Sequence, residues 1–296
     1  MATLVLVRFM GLAWIRAADA FDIPRAPAKE GFRRVEVYLM RHGQSEGNVF
    51  PHQGPFGLVD PALTETGRSQ ATQTGLNCLS QHRTPDLVLA SCLLRAQETA
   101  LLAFGNSSVY VAPFISEDHW GQSFLHPGST PGPADQQRQR IEEDLGPEDL
   151  DRLVPAEEGQ DLGPPSWSFF LEWLPTSAAM QRLQQEPLIA VVSHGNFLQD
   201  TMAEFGWDDG HPKNAEVFRA RMDLTENGFG PLTVEEVLCP GYAGDKDARN
   251  AWIAVFASAI IICILVCVLV WWCRRAKRGL QSASYETSLQ SVSSDE

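Results

Sequence analysis

The chain has 296 residues, with 23 Lys and Arg against 37 Asp and Glu, for a formal net charge of −14. That length admits one sizeable domain plus appendages. The acidic balance argues against nucleic acid as a partner, because phosphate backbones are met by basic surfaces, but it permits a small anionic substrate at a locally positive site.

Residues 1–34 support two readings. Leu4–Val7 and Met10–Ile15 are apolar and Ala18-Asp-Ala20 resembles a cleavage site, as in a signal peptide. Arg8 and Arg16 interrupt the apolar stretch, and that favours an extra strand or a disordered leader. From Val35 to about Cys239 the pattern is one α/β domain. Val35, Val37 and Leu39 alternate with Glu36 and Tyr38, the period of a strand, and the run breaks into Arg41-His42-Gly43. Leu63–Ala71 reads as a helix start with Thr64 as N-cap. Leu87–Ala90 is a short apolar strand followed by a helical run over Leu93–Phe104. Residues 121–165 are rich in Gly, Pro, Gln and acid. They read as an insertion with one short helix near Gln136–Asp144. Ser166–Gln185 reads as a helix, and Leu188–Val192 as a fully buried strand running into Ser193-His194-Gly195. Strands alternating with helices predict an α/β fold with a mainly parallel sheet flanked by helices, with function at the carboxyl ends of the strands.

After a linker over 241–251, Trp252–Trp272 carries no charge and has Trp at both ends. That is long enough to cross a hydrocarbon core of ~30 Å as a single transmembrane helix. Arg274, Arg275, Lys277 and Arg278 follow it, so the positive-inside rule places the tail in the cytosol and the main domain luminal or extracellular. Without a signal peptide the alternative is a tail-anchored protein with a cytosolic domain. Cys273 sits where palmitoylation occurs, and the Ser-rich stretch Gln281–Glu296 is too polar to build a core. Of the six cysteines, only Cys78, Cys92 and Cys239 fall in the soluble part. Their spacing matches neither a disulfide framework nor a zinc site, and they read as buried or incidental thiols.

The three strand ends carry the chemistry: Arg41-His42-Gly43, the turn Ser91–Arg95, and His194-Gly195. If they converge, two guanidinium groups and two imidazoles meet in one pocket. A phosphoryl group in flight has three equatorial oxygens to hold, which suits the planar fork of arginine. A histidine can take that group covalently, with no metal and no cofactor. His52, His82, His119, His126 and His211 read as surface or supporting residues. Asn106-Ser-Ser108 is a glycosylation sequon, meaningful only for a luminal domain.

Arg41-His42-Gly43-Gln-Ser-Glu-Gly-Asn48 resembles the signature of the histidine phosphatase superfamily, also called the phosphoglycerate mutase-like family. The resemblance continues through Asp60–Thr64, Gly67, Gln70-Ala71, Ser91–Thr99 and Val192–Gly195 in the family's order. It implies His42 as nucleophile, Arg41, Arg95 and His194 as the phosphate pocket with Gly195 beside them, and Asn48 as a contact to phosphoryl group or substrate. It implies Glu117 as proton donor, with adjacent Asp118 as the alternative, and Glu216 as structural support. Phosphoglycerate mutases carry a longer segment after the first motif, with an arginine and a Gly-Trp pair; Val49–Asp60 has neither. A membrane-anchored phosphatase acting on a small phosphorylated substrate or a phosphoprotein is therefore the expected function. The alternatives are mutase-type transfer and an inactive, membrane-tethered scaffold. The insertion lies where family members often form a lid. Its few basic residues, Arg138, Arg140 and Arg152, argue against a highly phosphorylated substrate.

Overall fold

In the computed structural model, Arg34–Arg41 form strand β1 at the centre of the sheet. The described residues are 34–49, 58–117, 127–157, 160–178, 180, 183, 186–225 and 228–242. The chain divides into two units, Met1–Tyr242 and Ala243–Glu296, and the second lies outside the described residues. So do the leader up to residue 33, the predicted span 252–272 and the tail. Among the described residues no helix is long and apolar enough to cross a membrane.

The strand order is β4-β3-β2-β5-β1-β6-β7, with β8 pairing β6. Here β2 is Leu87–Ala90, β3 Val109–Val111, β4 Leu153–Val154, β5 Leu188–Ser193, β6 Val217–Thr225, β7 Gly228–Phe229 and β8 Thr233–Cys239. The strands from β4 to β1 run parallel, while β6 is antiparallel to both β1 and β8. The expected parallel α/β sheet is present, with an antiparallel edge added.

The parallel strands are buried on both faces, and their period-2 alternation sorts side chains into two cores. Tyr38, Met40, Val88, Ala90, Leu188, Ala190 and Val192 share one core with helix α3 (Leu94–Ala103) and with Ile141 of α4 (Ala134–Asp144). Val37, Leu39, Leu87, Leu89, Ile189 and Val191 share the other with α6 (Trp167–Trp173) and α7 (Gly195–Glu204). Fully burying one such aliphatic side chain is worth roughly 1.5–3 kcal/mol. The register pairs Arg41 with Ser193 and Ala90 with Val192. The three motif-bearing strand ends therefore stop at the same level.

Helix α2 (Glu65–Asn77) begins as expected, with the Thr64 hydroxyl accepting from Gly67 N at 3.0 Å. A short α1 (Glu46–Val49) precedes it. Three expectations need correction. The insertion holds more than one short helix: after α4 come α5 (Pro147–Arg152) and β4, which extends the sheet beside β3. The helix expected over 166–185 stops at Trp173 and tightens into a 3-10 turn, Leu174–Thr176. Pro175 lacks the N–H the next α-helical bond requires. Finally, Cys78 and Cys239 are not incidental thiols. They form a disulfide with Cα atoms 5.9 Å apart across a sequence separation of 161. Spacing could not reveal it, because folding alone brings the end of α2 against the end of β8. Cys92 is a buried free thiol.

Candidate active site

β1 delivers His42 to a buried position 2% exposed. The chain beyond it turns against α2 without side-chain bulk. A Cβ on Gly43 would stand 2.5 Å from Gly67 O, and one on Gly67 would overlap Gln44 O. Gly43 N also donates to Thr99 Oγ1 of α3 at 3.0 Å, while His42 N donates to Ser193 O of β5 at 2.9 Å. Three elements thus fix the backbone of the consecutive residues His42 and Gly43.

The imidazole is fixed as well. His42 Nδ1 lies 2.6 Å from Gly43 O. A carbonyl only accepts, so Nδ1 carries the proton and Nε2 keeps its lone pair. Arg95 Nε donates to that lone pair at 3.3 Å. Burial, then the charges of Arg95 and Arg41, push the His42 pKa well below the ordinary histidine value. The ring is therefore neutral at neutral pH, the form a nucleophile requires.

Around Nε2 stand the other predicted residues. Arg95, the second residue of α3, reaches Glu117 Oε2 with NH2 at 3.1 Å and Gly128 O with NH1 at 2.7 Å. The His194 ring centroid lies 5.1 Å from that of His42. His194 Nε2 meets Ser91 Oγ at 2.8 Å, and Nδ1 lies 3.4 Å from Glu117 Oε2. Burial first, then Arg95, His42 and Arg41, hold His194 neutral too. Glu117 is placed by β5, because Ser193 Oγ donates to Ile115 O at 2.6 Å. Burial lowers the Arg41 guanidinium to about 10, which still leaves it charged. The His194 Nδ1–Glu117 contact lacks hydrogen-bond geometry. His194 Nδ1 and Arg41 Nε are buried and have no hydrogen-bond partner among the described residues. A buried polar atom left without a partner costs about 1–3 kcal/mol, which a bound phosphoryl group that met either atom would offset.

Arg41, His42, Arg95, Glu117 and His194 are thus brought together from four segments of the chain. Gly195 opens α7, where a Cβ would overlap the His211 ring and stand 3.1 Å from Arg41 Nε. Asn48 is the third residue of α1. Its Oδ1 accepts from Ser45 N at 3.0 Å and Ser45 Oγ at 3.1 Å, and it makes no hydrogen bond to the cluster among the described residues. Asp118, His52, His119 and His126 lie outside the described residues. Glu216 supports the site from below: its backbone O accepts from Arg41 N at 3.1 Å and its Oε2 from Lys213 N at 2.7 Å.

Two further residues belong to the site's frame. His211, expected at the surface or in support, rests on Arg41 NH1 at 3.3 Å and Asn196 Oδ1 at 3.3 Å. Asp60 accepts from Leu94 N at 2.9 Å, from Gly132 N at 2.8 Å and from Gln137 Nε2. It ties the insertion to the helix start that carries Arg95.

Ligand atoms of His42, Glu117 and His194 lie within 4.8 Å of one another and could in principle close on a metal ion. Arg41 and Arg95 stand beside them, however, and one carboxylate does not offset two guanidinium charges and an incoming dication. The donor set suits an anion better.

The sequence model of the histidine phosphatase superfamily (branch 1) matches residues 37–225, well over half of the chain. Over 68 residues the chain is 43% identical to a 2,3-bisphosphoglycerate-dependent phosphoglycerate mutase of Bartonella bacilliformis, a match covering 23% of this chain and 32% of the mutase. The chain spans about a third of the length of the curated relatives it matches. Among solved structures it is similar to a mycobacterial glucosyl-3-phosphoglycerate phosphatase, at 20% identity over 70% of this chain and 100% of that one, with a TM-score of 0.42. It is likewise similar to a phosphoserine phosphatase of Entamoeba histolytica, at 20% identity over 69% of this chain and 96% of that one, with a TM-score of 0.42.

Proposed function

The chain belongs to the histidine phosphatase superfamily, whose members are phosphatases or phosphoryl-transferring mutases, and we propose from that premise that it hydrolyses a phosphomonoester through a phosphohistidine on His42. The observation that carries this reading is the unprotonated Nε2 of a neutral His42, held beside Arg95 in a cluster that leaves two buried nitrogens, Arg41 Nε and His194 Nδ1, without partners among the described residues.

The steps follow from those positions. The Nε2 lone pair attacks phosphorus as the bond to the ester oxygen breaks. Arg41, Arg95 and His194 hold the equatorial oxygens, each such donor being worth about 10²–10³ in rate. Glu117 gives the departing alkoxide its proton. Water then attacks the phosphohistidine and returns a proton to Glu117. Phosphate leaves, and Nε2 regains its lone pair. The substrate is a small monoester or a phosphorylated side chain, not a polyanion. The insertion's Arg140 and Arg152 are engaged with Asp144 at 2.8 Å and Asp149 at 2.6 Å. Gly128, bonded to Arg95, sets that segment at the mouth of the site, where it would read the rest of the substrate.

The full chain in detergent should turn over p-nitrophenyl phosphate, and His42→Ala should lower the rate by about 10³-fold or more. Equal rates for the two proteins would leave a binding scaffold instead. The matched mutase relatives favour a second reading. Conversion of 3-phosphoglycerate to 2-phosphoglycerate, faster than phosphate release, would establish it.

The same proposal includes an anchor. Residues 252–272 cross a membrane, Arg274–Arg278 hold the tail in the cytosol, and the catalytic domain faces the lumen or the exterior. The Cys78–Cys239 disulfide supports that orientation, since such bonds persist in oxidising compartments. Alkaline carbonate should fail to extract the protein, and protease added outside sealed vesicles should remove only the tail. Extraction, or digestion of the domain, would refute the anchor or its orientation.

A further inference from the structure

Asn106 stands in the turn between α3 and β3, and its side chain is exposed. It opens Asn106-Ser-Ser108, the chain's single Asn-x-Ser/Thr triplet. Backbone bonds hold the turn's shape. Ser107 N donates to Phe104 O at 2.8 Å, and the Arg152 guanidinium bonds the carbonyls of Leu101, Phe104 and Gly105. Next to Asn106, a Cβ on Gly105 would meet nothing within 4 Å, so the space around the turn is open. The Asn106 amide makes no hydrogen bond among the described residues.

The turn's place in the fold bears on what it can accept. It feeds Val109, which pairs with Val88 near the start of β2. The candidate site lies past the other end of the same strand, where Ser91 meets His194 and α3 carries Arg95. A bulky group on Asn106 would thus stand at the end of the sheet opposite the phosphoryl pocket. It would obstruct neither substrate nor insertion. The Cys78–Cys239 disulfide, already cited for the luminal orientation, also suits a compartment where such groups are added.

We propose that Asn106 carries an N-linked glycan, attached as the domain enters the secretory pathway. The inference rests on the luminal orientation proposed above and not on the phosphatase chemistry. The glycan covers the α3–β3 turn and leaves the site open.

The test is expression of the full chain in eukaryotic cells, with electrophoresis before and after peptide-N-glycosidase treatment. The wild type should shift by one glycan. Asn106→Gln and Ser108→Ala should show no shift, and Ser108→Thr, which keeps the triplet, should restore it. All four proteins should cleave p-nitrophenyl phosphate alike. A wild type that does not shift overturns the proposal. Thiol alkylation of the same sample then locates the failure. With Cys78 and Cys239 still bridged, the glycan alone is wrong; with both thiols free, the luminal orientation falls with it. Phosphatase activity, read on the same sample, separates either outcome from a failure of the catalytic reading.

Discussion

The parallel half of the sheet and its antiparallel edge handle charge in opposite ways. β2 and β5 are apolar along both faces, as is β1 from Val37 to Met40, and polar groups gather past their carboxyl ends, around His42, Arg95 and His194. β6 and β8 carry charge along their length. Arg219 pairs with Glu236 at 2.5 Å and Arg221 with Glu235 at 2.8 Å, on side chains 32–47% exposed. The first arrangement concentrates electrostatics where water is excluded and each interaction is strong. The second spreads it where solvent weakens it. Charge among the described residues of the sheet is therefore gathered at one end and spread along the other edge.

That contrast can be broken by substitution. Arg95→Ala should cost about 10²–10³ in kcat, because Arg95 touches His42, Glu117 and Gly128 at once. Arg95→Lys should recover little of it, since one ammonium nitrogen cannot reach the three partners that the separate guanidinium nitrogens meet. Steady-state kinetics on p-nitrophenyl phosphate would show both. Removing the staple tests the edge. Cys239→Ser should lower stability by about 2–4 kcal/mol with little change in kcat for the protein that remains folded, as read by denaturant titration.

A pH-dependent effect lies on the catalytic side. Burial raises the Glu98 carboxyl from 4.5 to about 8. Between those values the native chain keeps a proton that the unfolded chain releases. Stability contributed by the protonated group should fall as pH rises from 4.5 through about 8 and then level off. Melting temperatures of Glu98→Gln should lose that part of the slope. The smallest effect belongs to the surface ladder: Arg221→Ala should change stability by no more than about 1 kcal/mol and leave activity intact.

How much of this was legible in the sequence follows the same division. The strand ends at His42 and His194 announced themselves because an apolar run breaks abruptly into a histidine followed by glycine, while Arg95, four residues past Ser91, stood out through the family resemblance. The edge was missed. β6 does alternate, with Ala220 and Met222 buried between Arg219, Arg221 and Asp223, but charged residues on an outward face look like a loop when no neighbouring strand is in view. β3 and β4 are too short to show a period. The Cys78–Cys239 pair and the approach of His211 to Arg41 depend on contacts between residues far apart in the chain. For His211 a signal did exist: Gly195 leaves the room that the ring occupies. Asp60 was visible as part of a motif, yet its work, accepting bonds from both α3 and the insertion, needed coordinates.

The central claim is that His42 Nε2 accepts the phosphoryl group covalently. Acid-free quenching of the full chain during turnover of a radiolabelled phosphomonoester, followed by peptide mapping, tests it most directly. The account predicts one acid-labile, base-stable label on the peptide containing His42, absent from His42→Ala. Undiminished turnover with no label on that peptide, or a label on another residue, would contradict it.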